Sequence, residues 1–277
     1  MTDAPRASSS RSERAYYVYG VVPAGRAPAA PEGASGVDPR FPPRILAHGG
    51  IGAVVSEVSL DEFGEEALHA NVARLQWLDA KVRAHEAVLE LLLPGGVVPM
   101  RFSTIYRSEQ HVTEMLEREQ GALLRALEHV RGKREWGVKG LYAPDALAAS
   151  IEESDEQARE LRAEVEREPA GRAYLARKRL EQRVRDESDR IAAACAREGH
   201  ELLRAAAAEA RTNALPPEGV DGRRTFLNGV YLVREPDEAA FRDVVSGLTS
   251  RYAALGIAFE LTGPWPAYNF VGGAEES

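Results

Sequence analysis

The sequence predicts a mixed α+β fold in two domains. The chain has 277 residues, more than one small core usually organises. Short β-branched and aromatic runs alternate with segments of helical periodicity, and two long, charged helical stretches in the middle separate two strand-bearing regions. A hydrophobic share of 44% is enough to build real cores, and 28% charged residues suits amphipathic helices.

Residues 1–14 are polar and Ser-rich and read as a disordered tail. Residues 15–22, rich in Tyr and Val and stopped by Pro23, form the first strand. Residues 24–43 have the Pro, Gly and Ala content of a long loop. Gly49-Gly50 then turns the chain into a second strand at 51–58. From Asn71, a plausible N-cap, Leu75, Leu78, Val82, Val88, Leu89 and Leu92 recur at helical spacing until Pro94. Residues 97–105 read as a third strand whose ladder begins after Pro99, because proline has no N–H to give. Ser108 caps a helix carrying Val112, Met115, Leu116, Leu123, Leu127 and Val130. Residues 135–141 alternate as a fourth strand, which closes a first domain at 15–142.

A second domain, 143–262, begins with a helix from Pro144 through Val165. After a break at 169–171, a second helix sets Leu180, Val184, Ile191, Cys195 and Leu202 on one stripe amid alternating charge, and the pair predicts an antiparallel helical hairpin. Residues 226–233, a helical face of Phe241, Val244, Val245, Leu248 and Tyr252, and the alternation of Ile257, Phe259 and Leu261 make a β-α-β unit. Residues 263–277 form a Pro-rich, aromatic tail that should dock on something.

A net charge of −8 and a pI near 5.4 argue against a general grip on nucleic acid. The seven basic residues between Arg172 and Arg190 are interleaved with Glu181, Asp186, Glu187 and Asp189, as on a solvated helix face. The single cysteine, Cys195, offers neither a disulfide framework nor a thiolate metal site and fits a reducing cytoplasm. No apolar run approaches the roughly 20 residues of a membrane helix, and no secretory h-region precedes the first strand. A lipid membrane is therefore not an expected partner. Phosphate-loop, nucleophile-elbow and metal motifs are absent; Gly49-Gly50-Ile51-Gly52 is a turn. No catalytic, cofactor or metal residues are assigned.

The best enzyme alternative is an acid-base site of His85, Glu86 and Arg101, an imidazole, a carboxylate and an anion clamp. Periodicity speaks against it, since His85 shares the stripe of Leu78, Val82, Leu89 and Leu92 while Glu86 points about 100° further round. A core or interface histidine is the favoured reading. Arg101, between Met100 and Phe102, needs either a salt bridge, for example to Glu86 or Glu135, or a ligand.

Several segments occur in family order: Tyr17-Val18-Tyr19-Gly20-Val21-Val22, His85-Glu86-Ala87-Val88-Leu89, Val98-Pro99-Met100-Arg101-Phe102-Ser103-Thr104 and Glu135-Trp136-Gly137-Val138-Lys139. Gly171-Arg172-Ala173-Tyr174-Leu175, Asn228-Gly229-Val230-Tyr231-Leu232-Val233 and Gly263-Pro264-Trp265-Pro266-Ala267-Tyr268-Asn269-Phe270-Val271 complete the series. Together they resemble the gas vesicle protein F/L family (GvpF/GvpL). The one departure is Ser103, where the family usually carries glycine. The resemblance implies two α+β domains, the first ferredoxin-like with a four-stranded sheet and helices on one face. It implies a cytoplasmic, gas-vesicle-associated assembly factor that contacts the small major shell protein and other accessory proteins, with no catalytic activity known for the family. The expected protein-binding residues are Met100, Arg101 and Phe102 on one surface and Trp265, Tyr268 and Phe270 on another. For Trp265 the alternative is a tail that staples the C-terminal sheet.

Overall fold

The structure, a computed structural model, describes residues 13–25, 34–216 and 221–271. The tail expected at 1–14 and the loop at 24–43 lie partly outside these residues, as does the end of the tail at 263–277. The chain divides into two compact units, 1–132 with 266–277, and 133–265.

The first unit contains β1 (Arg14–Pro23), β2 (Arg44–His48), β3 (Ile51–Ser59), α1 (Leu60–Phe63), α2 (Glu65–Val72), α3 (Leu75–Leu92), β4 (Val98–Pro99), β5 (Ile105–Tyr106) and α4 (Glu109–Val130). Its antiparallel sheet runs β2-β3-β1-β4, with β5 also against β1. Because side chains alternate across a strand, Tyr17, Tyr19, Val54 and Val58 enter a core with Val88, Leu89 and Leu92 of α3. Val18, Val21, Ala53 and Val55 enter a different core with Val112, Met115 and Leu116 of α4. Helices thus cover both faces, which corrects the expectation of helices on one face. The nearly continuous apolar character of 15–22 and 51–58 is the mark of strands buried on both sides. A register shift separates Val18 from Gly20, and a Cβ on Gly20 would lie 2.7 Å from Val97 and 2.8 Å from the Val98 carbonyl. Glycine here lets β4 close on β1.

Three further readings change. Pro99 pairs with Gly20 inside the ladder instead of preceding it; on a short edge strand its missing N–H is tolerated. Residues 44–48 form an edge strand where no separate element was expected. The helix expected from Asn71 starts at Leu75, after two shorter helices. Ser108 does cap α4, its hydroxyl accepting from the His111 N–H.

The second unit contains β6 (Lys133–Tyr142), α5 (Pro144–Ser154), α6 (Glu156–Arg167), α7 (Ala170–Ala205), β7 (Glu209–Thr212), β8 (Arg224–Arg234), α8 (Glu238–Tyr252) and β9 (Ile257–Trp265). Its antiparallel sheet runs β7-β8-β6-β9. Leu147 and Ile151 of α5, Ala192 and Cys195 of α7 and Phe241, Val245 and Leu248 of α8 join Trp136, Val138, Tyr231 and Val233 in a single core. This β-α-β-β-α-β order with helices on one face is the ferredoxin-like arrangement, so the architecture expected of the first unit is realised in full by the second.

The strand expected to close the first sheet, 135–141, lies in the second sheet, paired along its length with β8 and β9. The boundary between the compact units therefore falls at 132/133, not at 142. The helix expected from Pro144 is two, broken at Asp155, whose carboxylate accepts from the Ala158 N–H at 2.8 Å and from Arg183 at 2.5 and 3.1 Å. The latter contacts set α6 antiparallel to the 36-residue α7, about 54 Å long at 1.5 Å per residue. Residues 262–265 continue β9, although their composition reads as irregular.

Candidate functional site

The alternation of β1 aims Tyr17 and Tyr19 toward α3, where the apolar stripe carries His85. Tyr17 Oη lies 2.9 Å from His85 Nδ1, and His85 Nε2 lies 2.9 Å from Tyr268 Oη. Tyr268 donates its hydroxyl proton to Glu86 Oε1 at 3.1 Å, so it receives the proton of His85 Nε2–H. Nδ1 then accepts from the Tyr17 hydroxyl, whose oxygen also accepts the Ser103 N–H at 3.1 Å. The network holds a neutral Nε2–H tautomer with every imidazole nitrogen used.

Around the ring lie Tyr19, stacked at 5.7 Å, and Phe102, edge-on at 6.0 Å. His85 is 1% exposed. Burial pushes its imidazole down to about 4, eased by the Met100 carbonyl. Burial raises the Glu86 carboxyl above its usual range, partly offset by the Tyr268 hydroxyl. A second hydroxyl, Tyr19 Oη, bonds Ser56 Oγ at 2.8 Å and accepts the Val37 N–H. The arrangement ties strand, helix and tail together inside the first unit; it leaves no imidazole nitrogen open to a substrate.

The third member of the enzyme alternative is not brought in. Arg101 is exposed and, among the described residues, forms no ion pair, with Glu86 engaged by Tyr268 and Glu135 located in the other unit. Its turn is nevertheless well built: the Arg101 carbonyl accepts from the Thr104 N–H at 3.2 Å and from the Thr104 hydroxyl at 2.8 Å. Ser103 has φ 68°, so the left-handed backbone is adopted even without glycine, a conformation that costs a side-chain-bearing residue roughly 1 kcal/mol. The Ser103 hydroxyl is buried without a partner among the described residues. Met100 and Phe102 flank the exposed guanidinium as half-buried side chains.

The aromatic tail is divided. Trp265 ends β9 at 38% exposure, paired in register with Glu135. Tyr268 is a hydrogen-bonded member of the first unit, and Phe270 is 5% exposed. Tyr268 and Val271, packed on the cores of the first unit, therefore fasten the tail to that unit, whereas the staple weighed for Trp265 was to the C-terminal sheet. The partnership of Tyr17 and Tyr19 with His85 was missed from sequence; two tyrosines spaced by two on a strand, facing a stripe that carries a lone histidine, are the signal.

Among the described residues no group of three or more His, Cys, Asp or Glu is placed to hold a metal, and no helix is long and apolar enough to cross a membrane. Along α7, Lys178 pairs with Glu181 and Arg190 with Glu187. Cys195 sits in the core of the second unit, its thiol pushed up by burial.

The sequence profile described as gas vesicle synthesis protein GvpL/GvpF matches residues 15–272. The chain is 37% identical over 271 residues to gas vesicle protein L of Streptomyces sp. (strain CB03234), covering 96% of each chain. It is 27% identical over 257 residues to gas vesicle protein F of the same strain, covering 92% of this chain and 98% of that one. In fold it resembles the crystal structure of the gas vesicle protein GvpF from Anabaena sp. PCC7120, with a TM-score of 0.69 at 17% identity over 94% of this chain and 99% of that one. The profile match spans both units, and the chain belongs to the GvpL/GvpF family of gas vesicle synthesis proteins.

Proposed function

We propose that this protein acts in the cytoplasm during gas vesicle formation as a binder of the small shell protein, with other accessory proteins as further partners, and that it does so without catalysis. The observation that carries the reading is the turn at 100–104. Its base is closed by Thr104 and pinned to the buried Tyr17 through the Ser103 N–H, while Arg101 projects between two half-buried apolar side chains. A rigid turn offering a cation on an apolar seat suits recognition of a protein surface, because little ordering entropy is lost on binding. Trp265 supplies an exposed aromatic on the second unit, a residue type frequent among binding anchors. An unassembled shell subunit exposes apolar surface that aggregates unless covered, and a temporary partner meets that need. Tyr268 serves the function indirectly, by holding the tail in place, and Phe270 is buried.

The test is co-expression with the major shell protein followed by affinity capture, with an unrelated acidic two-domain protein as control. Capture is expected for the intact chain and should drop about tenfold for Arg101→Glu or Trp265→Ala, at unchanged melting temperature. Equal capture by the control, or full retention by both variants, rejects the assignment.

A further inference from the structure

In the second unit β9 is an edge strand, paired with β6 alone. Its outward main chain is partly occupied: the Thr249 hydroxyl of α8 accepts from the Phe259 N–H at 3.0 Å and donates to the Phe259 carbonyl at 3.1 Å. Residues of an antiparallel strand alternate between the paired side and the other side. The N–H and C=O of Leu261 therefore point the same way as those of Phe259, and no described residue closes them. A hollow of about 480 Å³ opens beside this edge, between α8 and β9.

Three features of the hollow describe an occupant. Trp136 lines it at 2% exposure, and the indole N–H is buried with no acceptor among the described residues. Arg242 lays its guanidinium 4.6 Å from the centre of the Trp136 ring and, among the described residues, meets no carboxylate. Ser246 places a hydroxyl on the helix side. Unpaired main-chain groups call for another main chain in extended form, a buried donor calls for an acceptor, and an unopposed cation calls for an anion.

We propose that this groove binds an extended, acidic segment of a partner protein, which adds as a strand to the open edge of β9 from Leu261 to Gly263. Alternate side chains of the segment enter the hollow against Trp136, and an Asp or Glu reaches Arg242. A helical partner would leave the Leu261 groups unmatched, and a basic segment would meet Arg242 with like charge. The proposal stands independently of the shell-protein reading.

Short random peptides displayed on phage are selected against the full-length chain, and the enriched peptides are synthesised. The expected consensus carries a carboxylate with apolar residues two positions apart, and binding slows amide exchange at Leu261 and Gly263. Affinity should fall about tenfold for Arg242→Glu, whose side chain is exposed, and should be lost when proline replaces the peptide residue that faces Leu261. Ser246→Trp, which fills the hollow from the helix side, should abolish binding as a second variant. No enrichment over an unrelated acidic protein, or enriched peptides indifferent to Arg242→Glu and to proline, overturns the proposal. So does a concentration-dependent dimer broken by Ser246→Trp, since the groove would then belong to a second copy of the chain.

Discussion

The two units share a strand order and differ in what covers it. In both, the second strand in sequence lies at one edge, the third and first follow, and a later strand lies against the first. The second unit places helices in both crossovers, and α5, α7 and α8 feed one apolar core. The first has no helix described between its first two strands; it places α3 on one face and α4, which follows the last strand, on the other. Strand order is thus compatible with two layerings, and the position of helices in the chain decides which is built. The chemistry differs accordingly. The core of the first unit encloses the Tyr17–His85–Tyr268 network with His85 fully buried, whereas the histidine of the second unit that meets a buried tyrosine, His200 on Tyr231 at 3.0 Å, is only half-buried.

The sharpest way to break this comparison is to empty one core and watch the other. Phe241 is fully buried in the second unit and Leu89 in the first; Phe241→Ala should cost about 3–5 kcal/mol and Leu89→Ala about 2–5 kcal/mol. Hydrogen exchange read separately from each unit should show loosening confined to the mutated one, and simultaneous loosening of both would mean that they unfold as a single cooperative body. Acidification should separate them next. The folded His85 titrates at about 4 against roughly 6.5 for a free imidazole, so the unfolded chain takes up the proton first. Stability of the first unit is therefore lost as pH falls from about 6.5 to about 4, by at most roughly 3 kcal/mol. Glu86, whose pKa is raised by burial, acts in the opposite sense, since acidification favours its protonated folded form. His85→Gln should flatten the pH dependence of the melting temperature between about 4 and 6.5, and an unchanged slope would remove His85 as its source. The smallest effect has the less common sign. Ser103→Gly relieves a left-handed backbone and deletes an unpartnered buried hydroxyl, so it should stabilise the first unit by about 0.5–1 kcal/mol in denaturant titration.

What the sequence made legible was the class of each strong element. β1, β3, α4 and α8 stand where their periodicity and caps place them, because each buries enough apolar surface for its own pattern to decide its conformation. Partnership between elements was less legible. The alternation of residues 135–141 specifies a strand but not a sheet, and only long-range pairing with β8 and β9 assigns it. The short strands β2 and β7 run along the sheet edges without a fully buried residue and carry too little pattern to stand out. At the site, the helical stripe marked His85 as internal, as found. Its partners came from β1 and from a tail 183 residues away, a distance over which no local rule reaches. Ser103 shows the converse limit: a residue type that disfavours a left-handed turn is overruled by its fixed surroundings, including the Tyr17 hydroxyl.

The chain leaves the first unit after Gly132 and re-enters it at Pro266, so the second unit is a contiguous cassette spliced into the first. Its two ends lie side by side, since Glu135 and Trp265 are register partners. On the ribosome this reverses the order suggested by position. All of the cassette is translated before Tyr268 and Phe270 emerge, and domains generally fold as units when their residues become available. The N-terminal unit is therefore the last to be completed, and a chain released before Pro266 would carry a finished second unit and a first unit whose His85 lacks one of its two hydrogen-bonding tyrosines.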